Sequence, residues 1–172
     1  MISGERINLI ALDDKFSDLI LKWVNEPELK EMIGTRFPIS RYEHEIWFKN
    51  RAMDQENKTF LIEEKTTKKI IGLVGNTAYD PINRFTYIHT YLGEKEDRSK
   101  GFGTETIRLY TKFCFNYLNI HKMSANIFEY NLASQKMFEK CGYHEEGILR
   151  KHWYRSGMYH DVVLMSIIDE ES

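Results

Sequence analysis

The sequence predicts a mixed α+β fold, an α/β sandwich with helices early and strands later interleaved with two further helices. Three observations carry this. Apolar residues recur at helical spacing between residues 16 and 50, strand-like runs occupy residues 59–92 with alternation clearest over 85–92, and two later helical stripes are set between strand-like runs. At 172 residues the chain, 1–172, suits one domain able to bury a core without disulfides.

Residues 7–12 are a short apolar-rich run that reads as a first strand, with Asp13 or Asp14 placed to cap the helix behind it. Phe16, Leu19, Ile20, Trp23 and Val24 share one helical face that ends near Pro27, and a second short helix is expected over 28–33. Gly34 and Pro38 interrupt the pattern. Ser40 with Glu43 gives a capping-box signature for a third helix through Ile46, Trp47 and Asn50. Strands over 59–63 and 69–77 are joined by a polar turn, as in a hairpin. After the turn at Asp80-Pro81-Ile82-Asn83, Phe85, Tyr87, His89 and Tyr91 alternate with Thr86, Ile88, Thr90 and Leu92, so both faces of that strand are at least partly buried. Ile107, Tyr110, Phe113, Cys114, Tyr117 and Leu118 recur at three- and four-residue spacing, as in a helix packing one stripe on a sheet. Residues 122–128 read as a strand, and Asn131 caps a helix that Gly142 closes. The segments 147–154 and 161–168 pair around the Arg155-Ser156-Gly157 turn.

Composition narrows the function. With a formal charge of -2 and no long basic run, nothing favours nucleic acid as a partner. No apolar run approaches membrane-spanning length and the first residues carry charges where a signal peptide needs an apolar segment, so the cytoplasm is the expected compartment. Cys114 and Cys141 lie far apart without a C-x-x-C pattern, which argues for two buried thiols rather than a disulfide or a zinc site. His152, His160 and Asp161 lack metal-ligand spacing, and no metal is expected.

The chemistry concentrates at Arg98-Ser99-Lys100-Gly101-Phe102-Gly103-Thr104, between the 85–92 strand and a long helix. A helix start exposes backbone N–H groups without intrahelical acceptors, and the macrodipole adds partial positive charge there. Gly101 and Gly103 permit close approach of a diphosphate, and Arg98 and Lys100 add charge. A Walker loop would end in Gly-Lys-Ser/Thr, and a dinucleotide loop would have a third glycine where Thr106 stands; neither pattern fits.

This loop, followed by Asn131-Leu132-Ala133-Ser134-Gln135-Lys136-Met137-Phe138-Glu139-Lys140-Cys141-Gly142-Tyr143 and by Glu146-Gly147, resembles the GNAT superfamily of acetyl-CoA-dependent N-acetyltransferases. The tail, with Gly157-Met158-Tyr159-His160-Asp161, looks like the branch that acetylates ribosomal-protein N-termini and spermidine. The resemblance implies a central, mostly antiparallel mixed sheet of about six or seven strands, splayed in the middle, with about four helices. It implies acetyl-CoA as co-substrate, held at its pyrophosphate by Arg98, Ser99, Lys100, Gly101, Phe102, Gly103 and Thr104, with the Tyr91 and Leu92 backbone along the pantetheine arm and Asn131 bonded to it. The early helices would form much of the acceptor wall.

Acetyl transfer needs a neutral amine, yet an amine of pKa near 10.4 is unprotonated in only about one molecule in two thousand at pH 7. A base or water chain, donors for the thioester oxygen and an acid for the leaving thiolate are therefore required. Many relatives place a tyrosine acid where Phe138 stands, and a phenyl ring cannot donate a proton, so Ser134 is the substitute; a thiolate of pKa near 8.5 can also leave unassisted. Tyr87 stands where many relatives carry a glutamate, leaving His89, or Tyr87 acting through water, as base. Glu43, His44 and Glu45 read as a solvated helix face. The acceptor expected is a small-molecule primary amine such as an amino sugar nucleotide, a polyamine or an antibiotic amine. A protein N-terminus is the enzymatic alternative, an acyl-CoA-sensing binding module the non-enzymatic one, and a homodimer accords with the resemblance.

Overall fold

The computed structural model describes residues 1–170. Eight strands form one sheet: β1 (Ile2–Ser3), β2 (Ile7–Ala11), β3 (Thr59–Glu64), β4 (Ile70–Asp80), β5 (Phe85–Leu92), β6 (Lys122–Phe128), β7 (His144–Arg155) and β8 (Met158–Ile168). Their order is β1-β2-β3-β4-β5-β6-β8-β7, and every neighbouring pair is antiparallel except β5 with β6. The sheet exceeds the expected six or seven strands by β1, whose two residues are too few to show a period in sequence. Five helices accompany it: α1 (Ser17–Asn25), α2 (Pro27–Ile33), α3 (Arg41–Met53), α4 (Phe102–Leu118) and α5 (Leu132–Glu139).

Local sequence explains most element ends. Asp13 caps the short 3-10 turn before α1, Glu26 caps α2 through Leu29 N–H, and Gly34 ends α2 in the left-handed region at φ 79°. Ser40 and Glu43 form the reciprocal capping box of α3. Asp80 Oδ1 accepts the N–H groups of Ile82 and Asn83, which closes the turn into β5.

The sheet buries both faces, and alternation along β5 divides them. Ile88 joins the core under α4 and α5 with Ile107, Tyr110, Cys114, Met123 and Phe138, whereas Tyr91 packs with Ile20, Trp23, Phe48 and Leu61 under α1 and α3. Tyr87 and His89 share the face of Tyr91 by the two-residue period. Cys114 is fully buried, but Cys141 is only partly so, because it follows the end of α5 and its thiol rests against the Thr104 carbonyl at 3.4 Å.

Candidate functional site

The sheet opens at its centre. β5 pairs with β6 only at Phe85–Lys122, Thr86–Met123 and Tyr87–Ser124. Beyond Tyr87, β5 continues on β4 as far as Leu92, and beyond Ser124, β6 continues on β8 as far as Phe128. Two backbone edges, residues 88–92 and 125–128, therefore diverge across a wedge and have ladder groups to offer a ligand. Glycines on β4 draw the end of β5 away: a Cβ at Gly72 would overlap the Tyr91 carbonyl, and one at Gly75 would lie 3.0 Å from the His89 ring.

The basic loop stands at the mouth of this wedge. Asp97 is buried and ion-paired to Lys69 at 2.8 Å, which anchors the loop's start. Both carboxylates, Asp97 before Glu96, hold the Lys69 ammonium well above its ordinary range. The Arg98 guanidinium bonds the Leu92 and Gly93 carbonyls and pairs with Glu28 at 2.9 Å, so its side chain braces the end of β5. Ser99 (φ 61°) and Gly101 (φ 86°) both turn through the left-handed region, and Gly101 is the N-cap of α4. The bond from Glu105 N–H to the Gly101 carbonyl, 3.1 Å, opens the helical ladder, leaving the N–H groups of Phe102, Gly103 and Thr104 ahead of it.

Sequence reasoning missed Arg6 here. Its guanidinium bonds the Lys100 carbonyl at 2.9 Å, pairs with Glu105 at 3.2 Å and lies 5.0 Å over the Phe102 ring. Glu105, the one acid in the first turn of α4, is thereby answered by a cation, and the helix start keeps its attraction for anions. No local pattern could reveal a pairing across 99 residues.

Asn131 caps α5, its Oδ1 accepting Ser134 N–H at 3.1 Å, while its amide NH2 makes no bond to the described residues. The Ser134 hydroxyl is likewise without a partner among them and is partly exposed. Phe138 is buried at 4 % exposure with its ring edge-on to Tyr143 at 4.9 Å, a core residue and not a proton donor.

On the other face, burial first and then the nearby Arg51 cation depress the His89 pKa from 6.5 to about 4. Its Nδ1 is buried without a partner. The Tyr87 ring meets Phe85 edge-on at 4.9 Å, and the Tyr91 ring meets Trp23 at 6.4 Å, with burial raising the Tyr91 phenol. One expectation is corrected: His44 does not belong to a solvated face but is 3 % exposed, stacked on Trp47 and bonded to the Ser17 carbonyl at 2.9 Å. Asp161 accepts Lys151 N–H at 2.6 Å and His160 faces Glu129 at 3.0 Å. Among the described residues no three His, Cys, Asp or Glu side chains are grouped to hold a metal, and no helix is long and apolar enough to cross a membrane.

A strand-edge wedge beside a glycine-capped helix start offers ladder groups to an extended chain and an anion-attracting helix end next to them. Residues 6–144 match the Acetyltransferase (GNAT) domain, and the chain belongs to that family. It is an acetyl-CoA-dependent acyltransferase. The SPbeta prophage-derived uncharacterized N-acetyltransferase YokL of Bacillus subtilis is 28% identical over 171 residues, 98% of this chain and 93% of that protein. The spermidine N(1)-acetyltransferase of Vibrio cholerae is 28% identical over 129 residues, 75% of this chain and 73% of that one. A crystal structure of spermidine N-acetyltransferase from Vibrio cholerae, in complex with CoA and spermine, superposes with a TM-score of 0.87 at 26% identity over 95% of each chain.

Proposed function

We propose that residues 1–172 act as one N-acetyltransferase domain that moves the acetyl group of acetyl-CoA directly onto a small-molecule primary amine. The observation that carries this reading is the wedge past Tyr87, open beside the start of α4 in a member of this family. Arg98, Ser99, Lys100, Gly101, Phe102, Gly103 and Thr104 form the diphosphate cradle, chiefly through backbone N–H groups, since the Arg98 side chain is engaged elsewhere. The Tyr91 and Leu92 backbone lines the arm, and the free NH2 of Asn131 donates to it.

The acceptor approaches from the face of Tyr87 and His89. A carbon–nitrogen bond forms, the carbon–sulfur bond breaks, and the sulfur leaves as a thiolate with the electron pair. Ser134 delivers a proton to that sulfur and regains one from solvent. His89, held neutral at pH 7, takes the nitrogen's proton once bond formation has made that nitrogen strongly acidic, and Tyr87 orders the water between them. Free cysteines accord with a cytoplasmic setting, and the twelve-residue β7, a sheet edge, is the surface we assign to a homodimer.

Incubation with acetyl-CoA and a panel of small amines, read as free-thiol release and as a 42 Da gain on the amine, tests the assignment. Acetylation of peptide N-termini alone would favour a protein acceptor. No thiol release with any amine would remove the reading.

A further inference from the structure

On the sheet face that carries Tyr87 and His89, a cavity of about 360 Å³ lies between α3 and β4. Its place follows from the register. Thr77, which lines it, pairs with Tyr87 across the β4–β5 ladder, and Gly75 pairs with His89. From the helix side, Arg51 reaches the carbonyl of Asn76, between those two pairs, at 3.4 Å. Opposed residues of an antiparallel pair share a face, so the cavity begins one strand spacing, about 4.8 Å, from Tyr87.

Some of the lining is spent on building the wall. Asp54 Oδ1 accepts the N–H groups of Glu56 and Asn57, and its Oδ2 accepts the Asn57 amide at 3.2 Å. Asn57 Oδ1 in turn accepts Tyr79 N–H at 3.1 Å, which ties the end of α3 to β4. β4 breaks register between Thr77 and Asp80, and Ala78 on the rim takes φ 54°, a left-handed turn uncommon for a residue with a side chain. Other groups are left over. Trp47 Nε1, the Asn50 amide and the Thr77 hydroxyl belong to the lining and make no hydrogen bond among the described residues. Arg51 and Asp54 lie 4.0 Å apart, so the two charges of the lining offset each other.

A ligand matched to this lining is uncharged away from its amine, offers both donors and acceptors, and has an apolar flank for the indole. A hydroxylated ring has all three. A bare polyamine brings donors alone, which the Arg51 and Trp47 N–H groups cannot meet, and a plain alkylamine leaves the polar groups unmatched. We propose that the cavity between α3 and β4 seats the hydroxyl-bearing ring of an amino sugar, with Trp47, Asn50 and Thr77 as its specificity-determining contacts. One strand spacing from Tyr87 leaves no room for a linker, so the amine stands on the ring or on its exocyclic carbon. The proposal rests on the amine-acetyltransferase reading above and narrows its acceptor class.

Amines of similar size test it: glucosamine, 3-amino-3-deoxyglucose and 6-amino-6-deoxyglucose against cyclohexylamine and 1,6-diaminohexane, with acetyl-CoA and each rate referred to the neutral-amine fraction. At least one amino sugar should exceed both plain amines in kcat/KM by about tenfold, the worth of one hydrogen bond. Asn50→Ala, at an exposed helix position that alanine suits, should raise KM for that sugar and lower its preference over cyclohexylamine, each by about tenfold. Thr77→Val, near in shape but without the hydroxyl, should act in the same direction. Plain amines that equal or exceed every amino sugar, or losses in both variants shared equally by cyclohexylamine, would overturn the proposal while acetyl transfer stands. If no amine is turned over, saturation-transfer NMR of the same amines with the CoA-loaded protein still decides. Amino-sugar contact that weakens in Asn50→Ala upholds the cavity assignment while the catalytic reading falls, and no contact, or contact the variant does not change, sinks the assignment itself.

Discussion

The Trp23 indole occupies the space that a side chain on Gly93 would need, and its N–H donates to the Glu94 carboxylate at 3.0 Å. The residue closing β5 is thereby fastened to α1, and with it the start of the loop that leads to Arg98. Gly93→Ala should force the indole out of a fully packed site and destabilise the fold by about 3 kcal/mol, the upper part of the range for overpacking. Urea unfolding measures the loss. Acetyl-CoA binding in the surviving folded fraction should weaken as well, since Glu94 moves with the indole.

Asn131 is assigned two duties that two substitutions separate. Asn131→Ala removes the cap of α5 and should cost about 1 kcal/mol. Asn131→Asp preserves the cap but removes the NH2 donors, so stability should hold within about 0.5 kcal/mol while KM for acetyl-CoA rises about tenfold. Thermal melts and initial-rate kinetics on the pair would show an unchanged KM in Asn131→Asp if the residue is a cap and nothing else.

Ser134→Ala should lower kcat about a hundredfold with KM for acetyl-CoA unchanged, as expected when a proton donor acts only in the transition state. Equal turnover in the variant would mean that solvent protonates the leaving thiolate.

His89 predicts an acid limb in stability. Its pKa is about 4 in the folded chain against about 6.5 when exposed, so between these values the unfolded chain binds the extra proton. The stabilising contribution is complete above pH 6.5 and is lost as pH falls toward 4, about 2 kcal/mol after a discount for a residue that is not wholly buried. His89→Gln should flatten that part of a pH series of urea midpoints. A profile with the same slope in the variant would assign the acid sensitivity elsewhere.

Much of this was legible in the chain. The left-handed Gly34, the capping box at Ser40 and Glu43, the Asp80 turn and the two faces of β5 all follow from short-range chemistry that a local window contains. The glycine-capped start of α4 at Gly101 was legible for the same reason. The bracing of that loop was not: Arg6 reaches Glu105 across 99 residues, and Glu28 meets Arg98 across 70. His44 misled because its charged neighbours point outward while its own ring turns under α3, a distinction set by helical phase rather than composition. Arg155 reaches the Thr35 carbonyl across 120 residues, a contact that no reading of either segment alone contains.

Because the halves of the sheet meet through only three residue pairs, the joint between them is short, and each edge beyond it is held by its own half of the sheet rather than by the other.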